Sequence, residues 1–248
     1  MLSRRIPHLI AALAFAALAG GCATSGTSNP KDPWEGMNRV THGFNDALDK
    51  TVLKPVAKGY VAVVPGFARE GVNNFFDNLE DLNTGLQNIL QGKPKEGFSD
   101  LGRLVVNSVF GVFGLWDVAT PMGLEKHYED FGQTLGVWGV AAGPYLVLPF
   151  LGPSSPRDTG GAVVDAALTP ELYFVPWYVS YPATGTRVIN ARALALETVR
   201  AEREAAFDFY AAVRSAYVQY RSNQVRDRVQ GPEDQEQDEQ LYELEDEE

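Results

Sequence analysis

The stretch GVWGVAAGPYLVLPFLG, residues 136–152, decides the fold because it holds seventeen residues without a single charge. No charged side chain occurs anywhere between Asp130 and Arg157. Ten large apolar side chains lie in residues 135–151, and leaving all of them in water would forgo roughly 15–30 kcal/mol. This exceeds the net stability of a typical domain, about 5–15 kcal/mol. The stretch must therefore be buried, either in the protein's own core or in lipid.

The stretch is too rich in proline and glycine for a regular helix, and it predicts a hairpin or a re-entrant loop instead. Glycine recurs at residues 132, 136, 139 and 143, a spacing that permits close approach of two apolar segments. A second uncharged stretch, residues 104–116, adds more apolar surface. Neither stretch has the flanking charges of a membrane span. We therefore expect a body in one leaflet of a membrane, with apolar edges outward and a polar or amphipathic passage inside.

The front of the chain predicts export and lipidation. Residues 1–21 combine Arg4 and Arg5 with an apolar core at residues 9–18, which is too short to span a bilayer and is typical of a signal peptide. The segment ends in LAGGC, which resembles a bacterial lipobox and implies lipidation of Cys22. Because Cys22 is the only cysteine, no intramolecular disulfide can form. The alternative is an ordinary signal peptide with an incidental cysteine.

Composition predicts one helical domain, residues 32–230, between a polar tether and an acidic tail. The tether is residues 22–31, and the tail, residues 231–248, carries ten of the 32 acids and should be disordered. The tail is either a solvated terminus or a docking strip for a basic partner. No basic patch is present, so nucleic acid is not expected as a partner.

Helix dominates the predicted domain. Glu35 and Arg39 are spaced for an ion pair on a first helix that Asp32 would cap. Residues 169–185 read as a loop because of their prolines. The other predicted helices are residues 55–64, 72–89, 96–119, a short helix at 160–168 and a long C-terminal helix at 186–228.

Two rival functions follow from the same residues. His127, Glu129 and Asp130 are close enough in sequence for an acid–base cluster, but residues 152–156, GPSSP, do not match the nucleophile elbow G-x-S-x-G. No metal or phosphate-loop motif is found either, so we expect no enzyme and no metal. The second rival is a structural envelope lipoprotein that binds porin or peptidoglycan without moving lipid.

Several segments in order along the chain resemble the VacJ/MlaA family of outer-membrane lipoproteins. They are DPWEGMNRVTHGFNDALDKTVLKPVAKGY, NNFFDNLEDLNTGLQNILQGK, RLVVNSVFGVFGLWDVA and, above all, EDFGQTLGVWGVAAGPYLVLPFLGPSSPRD. The resemblance implies a mostly α, ring-like helical bundle in the inner leaflet of the outer membrane, held by lipid on Cys22. It implies association with a porin trimer and transfer of mislocalised phospholipid to a soluble periplasmic carrier. The covalent lipid and the transported phospholipid are the only ligands it implies.

Candidate site residues fall into two groups. Phe44 and Asn45 match part of the family pattern in the first helix, which implies a structural or gating role. Arg157 and Asp158 mark the membrane–water boundary or form a local salt bridge. The candidates for the lipid passage or for bilayer contact, with a core position as the alternative, are Trp116, Phe131, Trp138, Tyr145, Leu148 and Phe150.

Overall fold

A computed structural model describes residues 32–169 and 174–229. The signal peptide (1–21), the lipidation candidate Cys22, the tether (22–31) and the acidic tail (231–248) lie outside the described residues. The described chain is mostly helical, as the sequence predicts. Its helices are α1 Glu35–Leu48, α2 Lys54–Val63, α3 Gly66–Leu90, α4 Pro94–Val109, α5 Phe131–Val137, α6 Pro156–Leu168, α7 Trp177–Leu194, α8 Leu196–Ala205 and α9 Phe209–Val229.

The uncharged stretch forms the predicted hairpin. Strand β1 (Leu146–Leu148) pairs antiparallel with β2 (Gly152–Ser154), and Leu148 stands opposite Gly152. Phe150, in the turn, has a φ of 67°, in the left-handed region that non-glycine residues seldom occupy. A short helix, α5, precedes the hairpin and ends just after Gly136.

The first helix begins differently from the prediction. Its N-cap is Trp34, which makes no side-chain cap hydrogen bond. Asp32 does not cap the helix; it is buried and accepts a hydrogen bond from Asn38 at 2.8 Å. The predicted ion pair between Glu35 and Arg39 is confirmed at 2.7 Å. A π-helical segment, Asp49–Leu53, then joins α1 to α2 without a break.

The fourth predicted helix is shorter than expected, because α4 ends at Val109 and a tight turn replaces its last ten predicted residues. Gly111 allows this turn, since a Cβ there would lie 2.1 Å from the carbonyl oxygen of Trp116. Gly114, with a φ of 86°, packs directly against the side chain of Asn78. Trp116 therefore lies in this turn and does not end a helix.

The C-terminal part was predicted incorrectly in two places. The segment expected to be a loop contains the start of α7, with Pro182 inside the helix. A long C-terminal helix is present, but it begins at Phe209 and not at residue 186. Asp208 explains the break before it, because its carboxylate accepts the backbone N–H of Ala211 and pairs with Arg39 at 2.7 Å. Such a side chain favours a new helix start over a continuous helix.

Contacts between the elements form a closed circuit, as expected for a ring-like bundle. Going round it, α1 contacts β1, β2 contacts α9, α9 contacts α5, and α5 contacts α3. Helix α3 contacts α7, α7 contacts α2, and the π-helical segment returns the circuit to α1. Helix α4 packs along α3 at a glycine pair, where a Cβ on Gly97 would lie 2.7 Å from the carbonyl oxygen of Gly85.

The burial pattern is inverted relative to that of an ordinary soluble domain. Among the described residues, six apolar side chains are buried, against eighteen polar or charged ones. Large apolar side chains normally fill the interior of a protein. Here many of them are exposed, for example Val63 (82%), Phe67 (77%) and Phe113 (76%). Within residues 32–169 and 174–229, no helix combines the length and apolarity needed to cross a membrane.

Candidate functional site

Helix α3 shows most clearly that polar side chains are buried and apolar side chains are exposed. Asn78, Asp81, Thr84, Asn88 and Gln91 recur every three or four residues and are all buried, so they form one face of the helix. The stripe of apolar residues predicted on the same helix lies instead at partly or fully exposed positions: Val72, Phe75, Phe76, Leu79, Leu82, Leu86 and Ile89. The helix thus presents its polar face to the protein interior.

The buried polar face of α3 is tied to α5 by side-chain hydrogen bonds. Thr134 donates to Gln87 at 2.8 Å, and Gln91 donates to Glu129 at 2.8 Å. Lys93 pairs with Glu129 at 3.1 Å. Buried polar groups are tolerated when they are hydrogen-bonded in this way. The contact between α3 and α5 is therefore a polar network.

A charged cluster lies between α3, α4 and the turn after α4. Arg103, almost fully buried, contacts Asp81 at 3.6 Å and Asp117 at 3.0 Å. Lys126 adds a second cation to Asp81 at 3.0 Å. Burial raises the pKa of Asp81 above its usual range in spite of Lys126. For Asp117 burial also acts to raise the pKa, but hydrogen bonds from Thr120 and from Arg103 outweigh it and lower the pKa to about 2.

Asn45, a predicted structural residue, holds the hairpin. Its side-chain amide donates to the carbonyl oxygen of Leu148 at 2.9 Å and accepts from the backbone N–H of Phe150 at 2.8 Å. Asn38, two helical turns earlier, does the same for Tyr145 and Val147, at 3.0 and 2.9 Å. Helix α1 therefore replaces a missing neighbouring strand and satisfies the backbone of β1.

The tip of the hairpin is exposed and apolar. Phe150 and Leu151 are 73% and 78% exposed. Phe44, which is 48% exposed, meets Phe150 edge to face with ring centroids 5.3 Å apart. The structure therefore places Phe44 and Phe150 together on an apolar outer surface, and Asn45 beneath it.

Three further aromatic candidates occupy other positions. Trp116 is 62% exposed on the turn after α4. Trp138 is exposed, packs against the partly buried Phe131 at a ring-centroid distance of 6.0 Å, and donates its indole N–H to the carbonyl oxygen of Leu90. The pair of Phe131 and Trp138 thus lies on the outer surface between α3 and α5, away from the hairpin tip.

Tyr145 does not lie on the outer surface. It is 2% exposed and packs against Tyr210 and Tyr217, which is the core position that the sequence analysis gave as the alternative to lipid contact. Leu148 is partly buried on β1. Sequence reasoning missed Tyr210 and Tyr217 as partners because they lie some 65 residues or more further along the chain.

Arg157 and Asp158 form a local salt bridge, the second of the two alternatives that the sequence leaves open. Both side chains are buried and they pair at 2.9 Å. Asp158 also pairs with Arg221 at 2.8 Å, and Arg221 reaches Asp130 at 2.6 Å. Burial acts to raise the pKa of Asp158, but hydrogen bonds from Arg221 and Tyr217 outweigh it and lower the pKa to about 2. These carboxylates are therefore ionised at neutral pH.

The residues considered for acid–base chemistry do not come together. His127 pairs with Asp100 at 2.8 Å, whereas Glu129 pairs with Lys93 and Asp130 with Arg221. Each acid is thus engaged by a separate cation, an arrangement typical of structural ion pairs.

A cavity of about 700 Å³ lies between the hairpin and α9. Its wall is mostly apolar and includes Pro144, Tyr145 and Val225, and its polar groups include Arg157 and Arg221. The volume is within the range of about 300–1,000 Å³ that is typical of small-molecule pockets. The cavity combines an apolar wall with a cluster of charges, which suits an amphiphilic ligand.

Comparisons with known proteins agree with this architecture. Residues 30–224 match the sequence model of the family described as MlaA lipoprotein. The chain is 38% identical over 205 residues to the intermembrane phospholipid transport system lipoprotein MlaA of Escherichia coli (strain K12), covering 80% of this chain and 81% of the relative. It is 35% identical over 226 residues to the protein of the same name in Haemophilus influenzae, covering 88% and 89%.

A solved structure is similar over most of its length. It comes from work on the structural basis for maintenance of bacterial outer membrane lipid asymmetry, and it aligns with a TM-score of 0.70 and 35% sequence identity. The alignment covers 78% of this chain and 98% of that chain. The two proteins are therefore similar in sequence as well as in fold.

Proposed function

This chain belongs to the MlaA lipoprotein family, and we propose that it removes mislocalised phospholipids from the outer leaflet of the outer membrane and passes them towards the inner membrane. Phospholipid transport is the function named for its relatives in Escherichia coli and Haemophilus influenzae. By this activity the protein maintains the lipid asymmetry of the outer membrane.

The main support for this proposed function is the burial pattern, in which apolar side chains are exposed and polar side chains are buried. Exposed apolar residues such as Val63, Phe67, Phe113 and Leu151 would each gain about 1.5–3 kcal/mol on leaving water, and hydrocarbon offers them that environment. The polar side chains of α3, α4 and α5 are instead buried, and they bond to one another between the helices. A body with an apolar outside and a polar inside is what a headgroup needs to cross a leaflet while its acyl chains stay in lipid.

We propose the following placement. Lipidation of Cys22 and the tether 22–31 anchor the domain to the inner leaflet of the outer membrane from the periplasmic side, with the domain at 32–230 embedded there and the acidic tail in water. Several acyl chains on one cysteine would make the attachment effectively permanent. An outer-membrane porin trimer holds the protein in place, and a soluble periplasmic carrier receives the lipid. The protein acts as a transporter component and not as an enzyme, and it needs no cofactor beyond the covalent lipid.

A deletion strain tests the function. Phosphatidylethanolamine on the cell surface is labelled with an amine-reactive reagent that does not cross the outer membrane, and the labelled fraction is compared with that of the parent. We expect deletion to raise the labelled fraction and the intact gene to restore it. An unchanged fraction, together with altered cell shape or porin content, would refute transport and support the structural envelope lipoprotein.

A further inference from the structure

A small cavity lies in the charged cluster between α3, α4 and the turn after α4. Its volume is about 10 Å³, close to the space of about 10–15 Å³ that one water molecule needs. Asn78, Asp81 and Arg103 line it, and they are 3%, 1% and 1% exposed. The cavity is thus the size of one water molecule and is bordered by side chains that are shielded from solvent.

Each of these three side chains has one buried polar atom that makes no hydrogen bond within residues 32–169 and 174–229. The atoms are Oδ1 of Asn78, Oδ2 of Asp81 and Nε of Arg103. A buried polar atom without a partner is destabilising, and native proteins contain few of them. Three at one cavity indicate that they share a ligand.

The other polar atoms of the same side chains are engaged. The amide nitrogen of Asn78 donates to Ser108 at 3.0 Å, and Oδ1 of Asp81 accepts from Lys126 at 3.0 Å. The two terminal nitrogens of Arg103 donate to the segment after α4. Rotation of a side chain to pair its free atom would therefore break an existing hydrogen bond.

Two of the unpaired atoms carry opposite charge and yet do not form a hydrogen bond. Nε of Arg103 and Oδ2 of Asp81 are 3.6 Å apart, whereas an N–H···O hydrogen bond measures about 2.7–3.2 Å. Polar contacts longer than about 3.5 Å are candidates for a bridging water molecule. The distance therefore agrees with a bridge between the two atoms.

The chemistry of the three atoms determines which ligand fits. Nε of Arg103 is a donor and needs an acceptor, so a sodium, potassium or ammonium ion does not satisfy it. The oxygens of Asn78 and Asp81 are acceptors and need two hydrogens, so a chloride ion does not satisfy them. A water molecule donates two hydrogen bonds and accepts one, and it pairs all three atoms at once.

We propose that one water molecule is bound in this cavity as a part of the fold, and that it bridges Asn78 and Asp81 on α3 to Arg103 on α4. The guanidinium group of Arg103 also holds the segment after α4, and Gly114 of the turn packs against Asn78. The bound water therefore helps to fix the turn that carries the exposed Phe113. This site goes beyond the transport function and does not depend on it.

The test measures magnetisation transfer from water to the Nε–H of Arg103 by NMR, using the isotope-labelled full-length lipoprotein in detergent micelles. In the rotating frame a bound water and hydrogen exchange give signals of opposite sign. Arg103→Lys keeps the charge, removes Nε and identifies the signal. The internal control is Arg192, whose Nε donates directly to Asp49 at 2.6 Å.

We expect a bound-water signal at Nε of Arg103 and none at Nε of Arg192. Asn78→Leu, which removes one of the two acceptors, should abolish the signal. Its control is Asn73→Leu, the same change on the same helix at a residue that bonds to Asp77 and does not line the cavity; it should keep the signal. A bound-water signal that survives Asn78→Leu would overturn the proposed bridge.

A crystal structure of the unaltered protein, at a resolution that shows ordered water, decides the question even if a variant does not fold. We expect one density peak within about 2.7–3.2 Å of all three atoms. Two results would overturn the proposal. One is a direct hydrogen bond between Arg103 and Asp81 with no peak, and the other is a peak that only oxygen atoms surround at shorter distances, which would indicate a metal cation.

Discussion

The hairpin tip offers a sharp test of whether the exposed apolar surface contacts hydrocarbon. Leu151 is 78% exposed, and the strained position of the turn is its neighbour Phe150, so Leu151→Asp adds no backbone strain. In water such a surface change alters stability by about 0.5 kcal/mol at most. In lipid it loses about 1.5–3 kcal/mol of leucine burial and adds about 2.5–3.5 kcal/mol for a carboxylate in hydrocarbon. The total is at least about 4 kcal/mol, roughly a thousandfold or more in partitioning.

The assay is flotation with liposomes of phosphatidylethanolamine and phosphatidylglycerol, using the chain from Ala23 onward so that no acyl anchor masks the effect. The control Thr198→Asp places the same carboxylate at an exposed position on the charged helix α8. We expect the unaltered chain and the control to float and Leu151→Asp to remain in solution, with melting temperatures that stay close together. Equal flotation of both variants would refute the reasoning and place the hairpin tip in water.

Two further predictions concern stability. Gly97→Ala should lower the free energy of unfolding by about 1–3 kcal/mol, since its Cβ would lie 2.7 Å from the carbonyl oxygen of Gly85. The control Gly43→Ala, with no atom within 4 Å of its Cβ, should raise the free energy of unfolding by up to about 1 kcal/mol. Both are measured by denaturant unfolding, and equal effects of the two variants would count against the contact between α3 and α4. The hydrogen bond to Asp100 raises the pKa of His127 above 6.5, although burial opposes the rise, so its stabilisation is complete below pH 6.5 and is lost as pH rises through the folded-state pKa. The free energy of unfolding should therefore fall more from about pH 6 to pH 9 in the unaltered protein than in His127→Gln, and parallel curves would contradict this.

The helix bounds show which local signals were sufficient. The stripe of apolar residues on α3 was enough to predict that helix and its C-terminal end to within one residue, because a period of three to four residues is a property of the segment alone. The helix begins at Gly66, six residues before the predicted start. The turn after Val109 was missed, since it depends on Gly114 packing against Asn78 from another helix. The break before α9 was missed for a similar reason, because Asp208 is fixed by Arg39, far away in the chain.

In the candidate site, too, some features could be predicted from the sequence and others depend on contacts between distant residues. Asn45 was recognised from its place in a family pattern, and its pairing with the hairpin backbone gives that position a physical reason. Tyr145 was proposed for lipid contact or for the core, and the structure buries it beside a cavity. Tyr217 and Arg221, which complete that cavity, carry no signal of their own, because they lie on a helix with ordinary alternation of charged and apolar residues.

The sequence by itself determined that a long uncharged, glycine- and proline-rich stretch had to leave water, and that helices with one polar and one apolar face surround it. Periodicity defines two faces on a helix but not which of them points inward, since either face can be buried when the surrounding solvent is unspecified. Only the tertiary structure decided this, by closing the elements into a circuit in which the polar faces bond to one another. The apolar faces were left outside because the interior offers hydrogen-bond partners that hydrocarbon does not.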